Sequence, residues 1–291
     1  MCGVAGYFTE VKDERLIYLG QLLGIANVVR GSDSWGMFTS PDGSIEKGAL
    51  YKTTDAISLG FARMSQRLIP KGLAMLHTRA STVGESLRAN AHPFRFVGKA
   101  GTVVGAHNKY VDNHAALAVQ YDRNFAVDSM HIFAHIADGL PMKEIEAIGT
   151  IEYVHDGVLH LSRFNGGELS CAWLHPEGST NQNDSWGVAW SSEKDHLTAS
   201  LIGAGIDKDE FTLYDMVNNE LYEYTNGKLV RTAAEVGITR PFVKPTSGNK
   251  HSCSIGYTSN PTTKKTQRLL VPKGGINEIV ATIHVVPECV N

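Results

Sequence analysis

The start of the chain constrains it most. Cys2 and Gly3 lead directly into the apolar run Val4-Ala5-Gly6-Tyr7-Phe8, which reads as a buried strand that would hold the terminus rigidly. If Met1 is removed, Cys2 carries a thiol with a reference pKa of ~8.5 and a free α-amine near ~8. A near-neutral base then sits beside a good nucleophile, reaching it directly or through one water. Gly3 lets the backbone pass close to a substrate. If Met1 stays, the amine is tied up as an amide and the base is gone.

The 291 residues suit one large domain or two modest ones, and 42% hydrophobic with 20% charged residues is ordinary globular composition. A net charge of -3 leaves no electrostatic footprint for nucleic acid. Cys2, Cys171, Cys253 and Cys289 lack ligand spacing, so they read as reduced thiols of a cytoplasmic protein. Charges at Glu10, Lys12, Asp13, Glu14 and Arg15 interrupt any signal peptide. The apolar stretch from Leu16 to Val29 is too short to span a bilayer.

Along the chain, Asp13 to Val29 has helical spacing. Pro41-Asp42-Gly43 signals a hairpin with Ile45 to Tyr51 as its return strand. Short strands are predicted at Leu73 to His77 and Thr102 to Ala106. Helices are predicted from Asn113, as cap, to Tyr121, from Ser129 to Ile136, and from Met142 to Ile148. From Ile151 the period changes to a β-meander: Ile151 to Val154, Val158 to Phe164 and Leu169 to Leu174, with turns at Asp156-Gly157 and Asn165-Gly166-Gly167. Gly187 to Ser191 is a further strand, and Glu220 to Val230 is a hairpin around Asn226-Gly227. The pattern is α+β, with two sets of strands and helices between them, consistent with a layered sandwich. Residues 1–235 form the domain and 236–291 an extended tail or association arm, rich in Pro, Ser, Thr and Lys, with strand-like runs at Arg268 to Val271 and Ile279 to Val286.

Polar clusters fall at strand ends: Arg30-Gly31-Ser32-Asp33-Ser34, His77-Thr78-Arg79-Ala80-Ser81-Thr82, Asn90-Ala91-His92-Pro93-Phe94, His107-Asn108 and Asp128-Ser129. With Met1-Cys2-Gly3, this ordered set resembles the glutaminase domain of class II glutamine amidotransferases. The resemblance covers roughly residues 2–235 and takes in Ser191-Ser192-Glu193 and the strand at Asn219 to Glu223. It implies the four-layer αββα sandwich of N-terminal nucleophile hydrolases. It implies that Cys2 attacks the carboxamide of L-glutamine, with a thioester intermediate and release of ammonia. Asn108 would donate its amide to the oxyanion, with the backbone N–H of residue 109 beside it. Arg79 would clamp the substrate α-carboxylate and Asp128 would pair with its α-ammonium. Arg30 and His92 would support the site.

Three departures stand out. Lys109 occupies the position where the family has glycine, which is needed there for its backbone angles or for room. Ala80 replaces a common aromatic, and Met130 replaces a common acidic residue. No P-loop, dinucleotide fingerprint or glutamate-flanked zinc motif occurs, so no cofactor and no metal are expected. His131 and His135, four apart with Asp128 and Asp138 near, read as a helix surface. The chain lacks the synthetase or transferase domain usual beside this module, so the ammonia acceptor would lie on a partner chain, or the products would simply be glutamate and ammonia. The alternative is a catalytically silent copy that serves assembly, as a homo-oligomer or through the tail. A lesser reading is a hydrolase of γ-glutamyl or other amides.

Overall fold

The computed structural model describes residues 2–55, 57–81, 83–179 and 181–241, together with two short strands beyond them. Strand β1 (Gly3–Thr9) is followed by helix α1 (Arg15–Asn27), strands β2 (Ser34–Ser40) and β3 (Ala49–Thr53), helix α2 (Ile57–Ser65) and strand β4 (Gly72–Arg79). Next come β5 (Phe94–Gly98), β6 (Gly101–Val111), α3 (His114–Gln120) and α4 (Met130–Asp138). The three strands predicted as a meander are β7 (Ala147–His155), β8 (Val158–Phe164) and β9 (Ser170–Leu174). Only β7 and β8 pair as a hairpin; β9 crosses to the other sheet, which corrects the meander expectation. They are followed by β10 (Gly187–Ser191), α5 (Lys194–Gly203), β11 (Phe211–Asp215), β12 (Glu220–Thr225) and β13 (Lys228–Glu235).

The strands make two antiparallel sheets, ordered β11-β9-β10-β1-β4-β2-β3 and β13-β12-β8-β7-β6-β5. Side-chain alternation along β1 explains the layers. Val4 and Phe8 point into a core between the sheets, which Val104, Ala106, Leu159 and Leu161 fill from the other side. Ala5 and Tyr7 point the other way, onto Leu16, Leu19 and Leu23 of α1 and Leu197 and Leu201 of α5. Leu117 of α3 and Ile132 and Phe133 of α4 cover the outer face of the second sheet. The result is an αββα sandwich. The strands in the middle of the first sheet, β1, β2 and β4, are buried along their whole length.

Several expectations need correction. Met142 to Ile148 is not a helix: only Met142–Glu144 makes a single 3-10 turn, and Ala147 already starts β7. Nine paired positions with β6, from Val111↔Ala147 to Val103↔His155, outweigh a local helical spacing. Asn113 is the N-cap residue of α3, but its side chain makes no capping bond to the helix. Its side chain instead bridges to Glu144 O and Glu146 N, tying down the start of β7. His131 and His135 are buried rather than on a helix surface. Among the described residues no group of three or more His, Cys, Asp or Glu could hold a metal ion. The predicted strand Thr102 to Ala106 is the middle of an eleven-residue strand, so His107, Asn108 and Lys109 lie within β6. The return strand after the Pro41 hairpin runs over Ala49–Thr53.

The compact unit extends through Pro241: Val236 and Ile238 are buried, and Thr239 bridges Glu146. In the second unit, Phe242–Asn291, strands β14 (Thr266–Arg268) and β15 (Thr282–His284) pair antiparallel with one another. The rest of the predicted runs Arg268 to Val271 and Ile279 to Val286 lies outside the described residues. No helix among the described residues is long and apolar enough to cross a membrane.

Candidate active site

Four strand ends meet at Cys2. β1 begins there, with Gly3 opposite Thr78 of β4 and Ala5 opposite Ser191 of β10. Arg79 ends β4 opposite Ser34, the first residue of β2. The approach is too close for a side chain at position 3: a Cβ on Gly3 would lie 2.5 Å from Asn27 Oδ1 and 2.9 Å from Thr78 Oγ1. The requirement for glycine is therefore one of space.

Cys2 is half-buried, and its Sγ lies 3.5 Å from Ala80 O. Burial pushes the thiol up from its ordinary value, Arg79 opposes this, and the charge of Asp128 adds to it. Arg79 and Asp128 thus both sit near enough for their fields to reach the sulfur. Arg30 is buried and donates from Nε to Cys2 O at 2.9 Å. Its Nη1 pairs with Glu193 and, at 3.5 Å, with Glu168.

Asn108 comes from the facing sheet. It is buried, its Nδ2 lies 3.5 Å from Ser192 Oγ, and its Oδ1 has no hydrogen-bond partner. Ser192 links it to β1, because the same Oγ accepts from Val4 N at 2.9 Å and Ser192 N donates to Val4 O at 2.9 Å. Lys109, next along β6, adopts φ +95°, the left-handed side where glycine is at ease and lysine is strained. Asp128 is buried and accepts the Val111 N–H at 2.7 Å through Oδ2. It is not a helix cap, and its other oxygen makes no hydrogen bond among the described residues.

Arg79 is 2% exposed, and its terminal nitrogens are engaged. Nη1 donates to Ser81 Oγ at 2.9 Å and Glu85 O at 3.2 Å, while Nη2 reaches Val83 O and, at 3.4 Å, Gly84 O. The guanidinium thus ties together Ser81 and residues 83–85. Asp33 accepts the Ser81 N–H at 2.7 Å from the opposite side.

His92 lies apart from this group. Its ring packs at a tilt between His77, 4.1 Å away, and Phe94, 4.3 Å away, and neither ring nitrogen has a partner among the described residues. His77 in turn reaches His107 O at 3.3 Å, and His107 reaches Ser129 Oγ at 2.8 Å. Burial holds all three imidazoles neutral, with His77 lowered to about 3 and His107 to about 4. Sequence reasoning assigned no role to Ser192, Glu193 or Glu168. The Ser-Ser-Glu run directly after a buried strand was the available signal for the first two, whereas Glu168 sits in a loop and left none.

No protein-family model matches the chain. Over 151 residues, 49% of this chain, it is 32% identical to the isomerizing glutamine–fructose-6-phosphate aminotransferase of Halobacterium salinarum, a match spanning 23% of that protein. Over 129 residues, 43% of the chain, it is 28% identical to the chloroplastic amidophosphoribosyltransferase 2 of Arabidopsis thaliana, spanning 22% of it. The chain thus spans less than a quarter of the length of these curated relatives. The glutamine phosphoribosylpyrophosphate amidotransferase from B. subtilis, solved with ADP and GMP, matches 79% of the chain and 49% of its own with a TM-score of 0.57; at 16% identity this likeness speaks to the fold. In sequence over about half of its length, and in fold, the chain is similar to class II glutamine amidotransferase domains, with the αββα fold of N-terminal nucleophile hydrolases.

Proposed function

We propose that the chain is a glutaminase of the class II amidotransferase type that releases ammonia from L-glutamine through Cys2. The observation that carries this reading is a half-buried thiol at the head of a central strand, lying in the fields of one fixed cation, Arg79, and one fixed anion, Asp128. A zwitterionic amino acid needs both. With Met1 removed, the α-amine of Cys2 takes the thiol proton as sulfur attacks the carboxamide carbon. The tetrahedral oxyanion is met by Asn108 Nδ2 and the Lys109 backbone N–H, donors held in place before the charge develops. The amine passes its proton to the departing nitrogen, which leaves as ammonia. Water then attacks the thioester, giving glutamate and restoring the thiol. Arg79 reads the α-carboxylate and Asp128 the α-ammonium. Arg30 fixes the Cys2 carbonyl, and His92 supports the site indirectly, through His77, which reaches His107 O beside Asn108.

One observation favours a second reading, a silent homologue used in assembly. The Arg79 donors already hold Ser81 and residues 83–85, so a substrate carboxylate must displace these bonds or share the donors. Intact mass separates the two at once, because retained Met1 blocks the mechanism. A glutamine-analogue electrophile should add its mass to the N-terminal peptide, and Cys2→Ala should reduce glutamine hydrolysis to background. Burial holds the Cys171 thiol protonated and shielded, so labelling there, or at Cys253 or Cys289, would remove the proposal.

A further inference from the structure

The strand end that carries Asn108 is fastened in an unusual way. Lys109 holds φ +95°, a conformation glycine adopts without strain. The lysine makes a bond that glycine could not: its Nζ donates to Gly166 O at 2.8 Å. Gly166 lies in the 165–168 turn after β8, and that turn is pressed onto β7. A Cβ on Gly167 would come within 1.8 Å of Gly149 O, and one on Gly149 within 1.9 Å of Asn108 O. Asn165 is tied to Ala147 O at 2.8 Å, and Thr150 Oγ1 donates to Glu168 O at 2.9 Å. Glu168 lies 3.5 Å from Arg30 Nη1, and Arg30 holds Cys2 O. A continuous set of contacts therefore runs from the Lys109 ammonium through the turn to the nucleophile's own carbonyl. Two residues further along β6, Val111 N holds Asp128.

We propose that Lys109 is a positioning residue whose ammonium clamps the 165–168 turn, setting Asn108 on one side and, through Glu168 and Arg30, Cys2 on the other. This rests on the glutaminase reading above and deepens it. It also reverses the simple expectation that glycine at 109 would serve better. The strained φ persists because the side chain is needed elsewhere.

The test uses the full chain with Lys109→Gly, Lys109→Met and Lys109→Arg. Methionine keeps the strained backbone and the apolar stem but loses the donor; glycine loses donor and strain together. Both should lower kcat about five- to tenfold with KM within about twofold, a fraction of the ~10²–10³ that a whole oxyanion donor is worth. Arginine should restore most of the rate. Lys109→Gly should lose rate while its Tm stays at or above that of the parent, a split that a merely structural lysine would not produce. Parental or raised kcat in Lys109→Gly overturns the proposal. If the parent protein, free of Met1, hydrolyses no glutamine, the glutaminase reading fails and the clamp is read alone by hydrogen exchange. Faster exchange at Gly166, Gly167 and Glu168 in the glycine and methionine variants supports it, and unchanged exchange overturns it.

Discussion

The two sheets present their site residues in different ways. On the first sheet Cys2 is fixed by shape. β1 lies between two fully buried neighbours, Gly3 fits because nothing larger can, and Thr78 Oγ1 and Ser192 Oγ complete the backbone around it. On the second sheet the donors are fixed at a cost. Lys109 holds a strained angle, Asn108 keeps an unpartnered Oδ1, and Asp128 spends one oxygen on Val111 N. Strain and unpaired polar atoms of this kind collect at functional sites because the surrounding fold over-determines them. A nucleophile at a chain terminus can be held by packing alone. Donors on a mid-chain strand must be turned away from ordinary sheet geometry to face it.

Beyond the effect of Cys2→Ala, the largest effect should come from the charge pair, Arg79 at the end of β4 and Asp128 in the turn before α4, which is bonded to β6 through Val111 N. Arg79→Ala and Asp128→Ala should each cost ~2–5 kcal/mol in kcat/KM, as for truncated charge pairs. If both hydrolyse glutamine normally, the substrate assignment is wrong. If only Arg79→Ala does, its guanidinium serves Ser81 and residues 83–85 alone.

The link between the sheets gives the next effect. Glu152 of β7 is wholly buried, its Oε2 accepts the Trp190 indole N–H of β10, and its Oε1 has no partner. Burial raises its carboxyl well above the usual range, against the lowering effect of Trp190. A raised folded pKa means stability is fully present below the unfolded value, ~4.3 for Glu, and is lost as pH rises toward the folded value, at ~1.4 kcal/mol per pH unit. Glu152→Gln keeps the indole's acceptor and removes the charge. Denaturant titrations should find the variant equal to the parent near pH 4 and more stable at pH 8; parallel curves would mean that the carboxyl ionises freely in the fold.

Ser192→Ala tests where the two halves join. Leaving Val4 N unpaired should cost ~1–3 kcal/mol of stability, and kcat should fall as Asn108 loses its neighbour. Lost stability with unchanged kcat would show that the second sheet positions Asn108 unaided. The smallest effect on the site should follow truncation after Pro241. It should leave the thermal midpoint and the glutaminase rate unchanged while removing self-assembly or partner binding, measured by light scattering. A truncated protein that assembles like the full chain would show that the tail is not an association arm.

Much of this was legible from residues alone where the causes are local. Cys2-Gly3 before an apolar run, the positive φ of Asp156-Gly157 and Asn226-Gly227 at hairpin turns, and the hairpins those turns close, β7–β8 and β12–β13, each depend on neighbours a few residues away. The αββα order came from the resemblance, and the packing of two sheets with helices outside bears it out. What stayed hidden depends on partners far along the chain. Ala147 and Ile148 carry a helical spacing, but pairing with β6 draws them into a strand. Asn113 has the chemistry of a cap, but the chain at 144–146 takes up its amide. His131 and His135 lie against core residues that no spacing reveals.

The sequence by itself determined which atoms can do chemistry: a terminal thiol, an amide, a guanidinium and a carboxylate, in an order that matches a family. Only the tertiary structure decided what holds them, because Ser192, Glu168 and the Lys109 clamp act across separations of 57 to 188 residues, and such pairings follow from sheet packing rather than from any local pattern.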